Sequence, residues 1–316
     1  MGSPAARTAA HPMAHALLPI LVLTLVWGCN WPVLKIGVTE VAPLTFRALT
    51  LPVAALGMFL ITRWSGESIR IPRAWWGRVA TLAFLNIAGW NGFVLFGVQH
   101  LPAGRSAIIA YTMPIWSTLI AMAVLNEPLD RRKFVGLGLG ILGMAILLGD
   151  DIRHIGTAPT YALMILTAAV LWALGTVLLR KWKPPFAQNA LSGWMMLLGW
   201  LPLAILAPFF DPHPASYLTT LSGKAWFAIV YNMLLAGTIA HWAWFTLART
   251  LPVAVSSLSS LPVPVVGVFA GMLFLGERPG VAEFTALALV LASLFAVLFQ
   301  PKAKVAPTAT ASEPSP

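Results

Sequence analysis

Long apolar stretches, each closed by charged residues or by proline and glycine, alternate with short polar segments along this chain. A helix needs about 20 mostly apolar residues to cross a bilayer. Ten stretches approach or reach that length: residues 16–37, 43–62, 77–98, 102–125, 133–149, 159–180, 187–209, 225–247, 252–275 and 281–299. The pattern predicts an all-α integral membrane protein with ten transmembrane helices after an N-terminal segment at 1–15. Residues 300–316, rich in Pro, Ala, Thr and Ser, predict a disordered tail.

The composition excludes the soluble two-domain protein that a length of 316 residues would otherwise suggest. Hydrophobic residues make up 59% of the chain and charged residues 9%, whereas about 25% are charged in soluble domains. A soluble protein of this composition would have too few polar residues to cover its apolar surface. We therefore expect a lipid bilayer to surround the chain.

The formal charge of +10 raises the question of a nucleic-acid partner. Fourteen of the 20 Lys and Arg residues fall at the two chain ends and in one set of predicted loops, and the other six fall on the opposite side. Basic residues collect in cytoplasmic loops. The distribution thus predicts that both termini, segments 1–15 and 300–316, are cytoplasmic, and it accounts for the charge without nucleic acid.

The chain contains an internal repeat. With a shift of 150 residues, Leu101-Pro102 matches Leu251-Pro252, Pro114 matches Pro264 and Glu127 matches Glu277, without a gap. Residues 16–149 and 159–299 then hold five helices each, and an odd number forces the second unit to enter the membrane inverted. Inverted repeats place a substrate site at their interface and permit alternating access. Chance similarity between apolar segments is the alternative.

Short motifs, in the order of the helices, resemble those of the EamA-type transporters of the drug/metabolite transporter superfamily. In the first half they are Trp27-Gly28-Cys29-Asn30-Trp31-Pro32, Pro43 to Arg47, Leu101-Pro102-Ala103-Gly104, Tyr111-Thr112-Met113-Pro114 and Asn126-Glu127-Pro128-Leu129. In the second half they are Trp172, Gly175, Thr176, Leu251-Pro252, Pro264 and Gly276-Glu277-Arg278. The resemblance spans residues 16–299, and it departs at Arg105, where a small or apolar residue is usual.

This resemblance implies ten helices in two inverted five-helix repeats. It also implies export or facilitated passage of metabolites, commonly amino acids, across the inner membrane of a bacterium. Within the family, the chain looks similar to bacterial amino-acid exporters.

Polar and aromatic side chains inside the predicted helices mark a candidate substrate pathway, because polar groups are costly in lipid and usually turn inward. Asn86 and Trp90 lie four residues apart on one helix face, and the 150-residue shift matches Asn91 with His241. The predicted substrate-binding residues are Trp27, Asn30, Asn86, Trp90, Asn91, Tyr111, Trp172, Thr176, His241 and Ser257. Helix packing is the competing interpretation, above all for the serine.

Charged residues at helix ends have candidate roles of their own. Arg105, near the outer end of the fourth helix, is predicted either to attract a substrate carboxylate or to extend to the membrane interface. Glu127 and Glu277 close matched helices, and we expect helix-end hydrogen bonding from them rather than proton coupling.

The sequence contains no motif for ATP binding, zinc proteolysis or a nucleophile elbow, so we expect no enzyme, no cofactor and no bound metal. The predicted function is transport of amino acids or similar small metabolites by alternating access. A proton-coupled exporter of drugs or hydrophobic cations is the alternative, and a membrane enzyme or a scaffold fits less well. Proton-driven carriers generally need an ionisable group along the pathway. Apart from His241, no mid-helix side chain changes charge near neutral pH, and this scarcity favours passage of the substrate down its gradient. The sequence leaves the oligomeric state open.

Overall fold

The computed structural model describes residues 4–154, 158–211, 220–250 and 260–298, and in these ranges the chain forms helices joined by short loops. The ten membrane helices are α1 (Pro4–Glu40), α2 (Pro43–Trp64), α3 (Arg73–His100), α4 (Ala103–Leu125), α5 (Arg131–His154), α6 (Ala158–Trp182), α7 (Gln188–Phe210), α8 (Gly223–Leu247), α9 (Pro262–Leu275) and α10 (Val281–Leu298). The prediction of an all-α protein is confirmed.

Within the described ranges, nine helices are long and apolar enough to cross a membrane, and the 14-residue α9 is the short one. The stretch predicted for α9 begins at residue 252, and residues 251–259 lie outside the described part of the chain. Large apolar side chains cover the outer surface; Phe209 is 80% exposed and Leu273 is 76% exposed. Such a surface suits lipid rather than water.

Matched helix ends confirm the internal repeat. Asn126 ends α4 with φ 55°, and Gly276 ends α9 with φ 66°, both in the left-handed region. In each case the next residue, Glu127 or Glu277, donates its backbone N–H to a carbonyl six residues earlier. A left-handed residue at the end of a helix lets the chain reverse, and here the closing turn is one residue wider than in a Schellman motif. The two ends lie 150 residues apart, as the shift predicts.

The third helix of each half contains a π-helical segment. In α3 this segment is Phe84–Gly89, and in α8 it is Tyr231–Ile239, which includes the same positions shifted by 150 residues. A π-helical segment shifts the backbone hydrogen-bond register and often marks a functional site. The fourth helix is broken at 111–112, between Ala103–Ala110 and Met113–Leu125, next to Pro114.

The two halves interlock along their length. Between them, α1 packs on α8 and α9, α2 on α7, α3 on α6, and α5 on α10. Close approach at several crossings depends on glycine; on α5, Gly136 accepts a hydrogen bond from Ser293 Oγ of α10 through its carbonyl at 2.6 Å. Small residues at such crossings permit close helix packing in membranes. The ten helices thus form two inverted five-helix repeats with an extensive seam.

Candidate functional site

A cavity of about 130 Å³ lies at the seam between the two halves. Helices α1, α2, α3 and α4 of the first half and α6, α7 and α8 of the second half line it. Both π-helical segments contribute, through Asn86 and Ile87 on α3 and through Asn232, Ala236 and Gly237 on α8. The cavity therefore lies at the repeat interface, where inverted-repeat carriers hold their substrates.

The structure brings together eight of the ten residues predicted from the sequence: Trp27, Asn30, Asn86, Trp90, Asn91, Tyr111, Trp172 and His241. Thr176 does not line the cavity, and its hydroxyl donates to the Trp172 carbonyl of its own helix at 2.9 Å. For Thr176 a local hydrogen bond explains the polar side chain. Ser257 lies outside the described residues.

Aromatic rings form two walls of the cavity. The rings of Trp90 and Trp172 lie 5.1 Å apart between centroids, and those of Trp27 and His241 lie 5.2 Å apart at 79°. Trp27 Nε1 donates to the Ala236 carbonyl at 3.2 Å, which ties the indole of α1 to α8. Paired rings held in this way offer a rigid apolar surface to a ring or an aliphatic chain.

The polar residues of the cavity hydrogen-bond backbone carbonyls, two of them within the π-helical segments. Asn91 Nδ2 donates to the Ile87 carbonyl at 2.8 Å, and His241 Nδ1 hydrogen-bonds the Ala236 carbonyl at 2.9 Å. Asn86 Nδ2 reaches across the seam to the Trp172 carbonyl at 3.0 Å. Irregular backbone is tolerated at membrane depth where such partners exist. These residues therefore shape the cavity as well as line it.

Three polar residues of the cavity escaped the sequence analysis: Arg47, Thr50 and Asn232. Arg47 is 9% exposed, and its Nη1 donates to Asn232 Oδ1 of the other half at 3.0 Å. The sequence analysis placed Arg47 within the predicted stretch 43–62 but counted it among the six basic residues on the non-cytoplasmic side. The signal that could have found it is Pro43, which starts α2 and puts Arg47 one turn inside the helix.

Both interpretations of Arg105 were wrong. Its side chain is 3% exposed, so it does not extend to the interface, and carboxylates already neutralise it. Arg105 Nε donates to Glu283 at 2.9 Å, and its Nη2 pairs with both Glu283 and Asp150. This buried cluster joins α4 to α5 and α10. Burying the guanidinium is tolerable because both acids compensate its charge.

Glu277 and Glu127, matched by the repeat, make different contacts. The Glu277 carboxylate accepts from the backbone N–H groups of Ala103 and Gly104, the latter at 3.0 Å, and so caps the start of α4. Burial disfavours the charged form of Glu127, but the nearby cations Arg180 and Lys133 outweigh this and hold its pKa below the usual 4.5. The two glutamates thus make polar contacts at opposite ends of the helix bundle.

Known proteins similar to this chain agree with the fold. The EamA-like transporter family matches it twice, at residues 15–149 and 159–299. The "Uncharacterized transporter YoaV" of Bacillus subtilis (strain 168) is 26% identical, with 84% of this chain and 90% of that protein covered. A "Probable amino-acid metabolite efflux pump" of Escherichia coli (strain K12) is 24% identical, with 88% and 93% covered.

Two further similarities extend over most of the chain. The "Uncharacterized inner membrane transporter YedA" of Escherichia coli (strain K12) is 27% identical, with 92% of this chain and 96% of that protein covered. A solved crystal structure with 20% identity superposes with a TM-score of 0.66 over 89% of this chain and 95% of its own. Since both halves match one family, the chain belongs to the EamA-like transporter family and is a multi-pass membrane protein.

Proposed function

We propose that this protein carries amino acids or similar small metabolites across a bacterial inner membrane, by alternating access through the central cavity. The observation that carries the proposal is the position of that cavity, at the seam of two inverted repeats and lined by both. Rocking of one repeat against the other would expose such a cavity to each side in turn.

Polar contacts between the two halves at one end of the seam support the interpretation that the cavity is closed on that side. Ser222 Oγ of the second half donates to Glu40 at 2.6 Å, and Thr45 Oγ1 donates to Asp211 at 2.8 Å. The cap of Glu277 on the start of α4 and the Arg105–Glu283 pair lie at the same end. With cytoplasmic termini, this end faces away from the cytoplasm. Opening there requires these polar contacts to break.

The chemistry of the cavity supports small amphipathic metabolites. The paired rings of Trp90 and Trp172 suit an apolar side chain, while amide groups and a guanidinium in the same cavity suit polar ends. Relatives named as amino-acid metabolite efflux pumps point to the same substrate class.

The test is an uptake screen across the amino acids with purified protein in liposomes, with and without a pH gradient. We expect flux of at least one amino acid, and flux that persists without the gradient, since no carboxylate among the described residues lines the cavity. Trp90→Ala should reduce this flux, because it removes half of an aromatic pair. Trp64→Ala, at an exposed ring at the end of α2, is the control. Absence of flux for every amino acid would contradict the proposal.

A further inference from the structure

Unpartnered polar atoms in the cavity wall indicate what the cavity binds. Among the described residues, the buried side-chain atoms without a hydrogen-bond partner are Arg47 Nε, Asn30 Oδ1 and Asn189 Oδ1. Arg47 and Asn30 line the cavity, whereas Asn189 lies outside it. A buried polar group that lacks a partner costs free energy comparable to a lost hydrogen bond. A ligand that supplied the missing partners would recover that free energy.

Arg47 differs from the other buried arginine of the described chain in how its charge is compensated. Arg105 has two carboxylates as partners, whereas Arg47 has one neutral amide, Asn232, and the ring of Phe46 at 5.5 Å. Removing a guanidinium from water without a counter-charge is costly. The same fold therefore neutralises its structural arginine and leaves the arginine of the cavity without an anion.

The cavity contains no fixed negative charge to attract a cation. Its lining residues, among those that the structure describes, include neither Asp nor Glu. A cationic ligand would meet the positive charge of Arg47 at short range in a site of low dielectric. A carboxylate, by contrast, matches the planar fork of a guanidinium and makes short charge-assisted hydrogen bonds with it.

We propose that Arg47 binds the carboxylate of the transported molecule and that Asn30 Oδ1 accepts a hydrogen bond from its amino group. The apolar body of the substrate then packs against the tryptophan walls, Trp90 and Trp172 among them. The substrate class is small carboxylates with an apolar or aromatic body, and hydrophobic cations are excluded. This inference rests on the proposed transport function and names the chemistry that the cavity selects.

The first experiment compares probes with the same ring but different charged groups. The probes are phenylalanine, 3-phenylpropionate, which lacks the amino group, and 2-phenylethylamine, which lacks the carboxylate. Binding to the purified protein is measured as ligand-induced thermal stabilisation, which does not require transport. We expect both carboxylates to bind about tenfold or more tightly than the amine, as for a hydrogen bond to a charged group. Equal or tighter binding of the amine would overturn the inference.

Variants assign the two polar ends of the substrate. Arg47→Gln should weaken both carboxylate probes by about ten- to a hundredfold and leave the amine unchanged or better bound. Arg132→Gln, which removes an exposed arginine at the start of α5, is the control and should change the binding of neither the carboxylate probes nor the amine. If Arg47→Gln does not fold, the comparison of probes on the unmodified protein still tests whether the cavity prefers a carboxylate to an amine.

Asn30→Ala should weaken phenylalanine but not 3-phenylpropionate, because only phenylalanine has an amino group. Asn189→Ala removes an equally unpartnered oxygen outside the cavity and should affect neither probe. Equal weakening of the two probes by Asn30→Ala would contradict the assigned contact. Flux of the amine without flux of either carboxylate would overturn this inference and leave the transport function standing. Absence of any flux or binding would count against both.

Discussion

The clearance around Gly175 sets the position of one amide in the cavity. A Cβ added at Gly175 would lie 1.9 Å from Asn86 Oδ1, so only glycine leaves room for this side chain. Asn86 in turn donates to the carbonyl of Trp172, three residues before Gly175 on α6. Gly175 therefore sets the position of a cavity-lining side chain without lining the cavity itself.

Gly175→Ala should accordingly displace Asn86 and lower stability by about 1–3 kcal/mol, as an overpacked core does. Phenylalanine binding should weaken as well, because Asn86 moves relative to the Trp90–Trp172 pair. Gly149→Ala, where an added Cβ meets nothing within 4 Å, is the matched control. Both variants are compared by thermal unfolding in detergent and by ligand-induced stabilisation. If Gly175→Ala unfolds at the same temperature and binds phenylalanine as tightly as the unmodified protein, the space beside Gly175 does not position Asn86.

Single residues were predicted well where polarity stood out against an apolar helix and poorly near helix ends. Asn86, Asn91 and His241 interrupt apolar runs, and all three line the cavity. Arg47 was missed because it lies near the start of the predicted stretch 43–62, where the sequence analysis assigned charges to the membrane surface. Thr176 was misplaced because a hydroxyl can satisfy itself on its own helix, which sequence spacing does not reveal.

At the scale of elements, the crossing of α5 and α10 depends on glycine, because a larger residue would not fit between the helices. A Cβ at Gly140 would lie 2.0 Å from Ile115 Cδ1 and 2.8 Å from Ser293 Oγ. Gly138, two residues earlier on the same helix, has nothing within 4 Å of its Cβ position. One face of α5 is therefore tightly packed and the other faces outward.

This difference between the two faces of α5 predicts the outcome of a matched pair of substitutions. Gly140→Leu should clash with Ile115 of α4 and Ser293 of α10 and separate α5 from both helices. The unfolding temperature in detergent should fall, with a loss of about 1–3 kcal/mol or more in the free energy of unfolding. Gly138→Leu should leave the unfolding temperature nearly unchanged, because the added side chain points away from the bundle. Similar effects of the two substitutions would mean that α5 does not pack through this face.

The elements themselves were the most predictable part of the structure. A run of apolar residues that spans a bilayer has few alternatives to a helix, because lipid offers no partner for backbone polar groups. The break in α4 at 111–112 was likewise signalled by Pro114. The π-helical segments were not predicted, since the residues Phe84–Gly89 carry no local signal that distinguishes them from α-helix.

For the whole molecule, the inverted repeat fixes which loops share a membrane face. Five helices, α3 to α7, separate Ser68 from Lys224, so these residues lie on opposite sides of the bilayer. The distribution of Lys and Arg predicts that the loop containing Ser68 is the cytoplasmic one.

Cysteine labelling tests this orientation, with Cys29, the single cysteine, replaced by serine. In intact cells, a membrane-impermeant maleimide should label Lys224→Cys and should reach Ser68→Cys only after permeabilisation. Both sites are exposed, Ser68 in the loop between α2 and α3 and Lys224 in the first turn of α8, so accessibility within the protein does not limit the reaction. The reverse pattern would place the termini outside, and labelling of both sites in intact cells would contradict the inverted arrangement.

The hydrogen bond between Arg47 and Asn232 has a consequence for biogenesis. Its two residues are 185 positions apart in the chain, and they belong to different repeats. At about 5–20 residues per second, a ribosome needs roughly 10 to 40 s to make the second residue after the first. Throughout that interval the nascent first repeat holds a guanidinium near the bilayer interior without its amide partner. Premature termination at mid-chain therefore leaves Arg47 without its hydrogen-bond partner in an incomplete bundle.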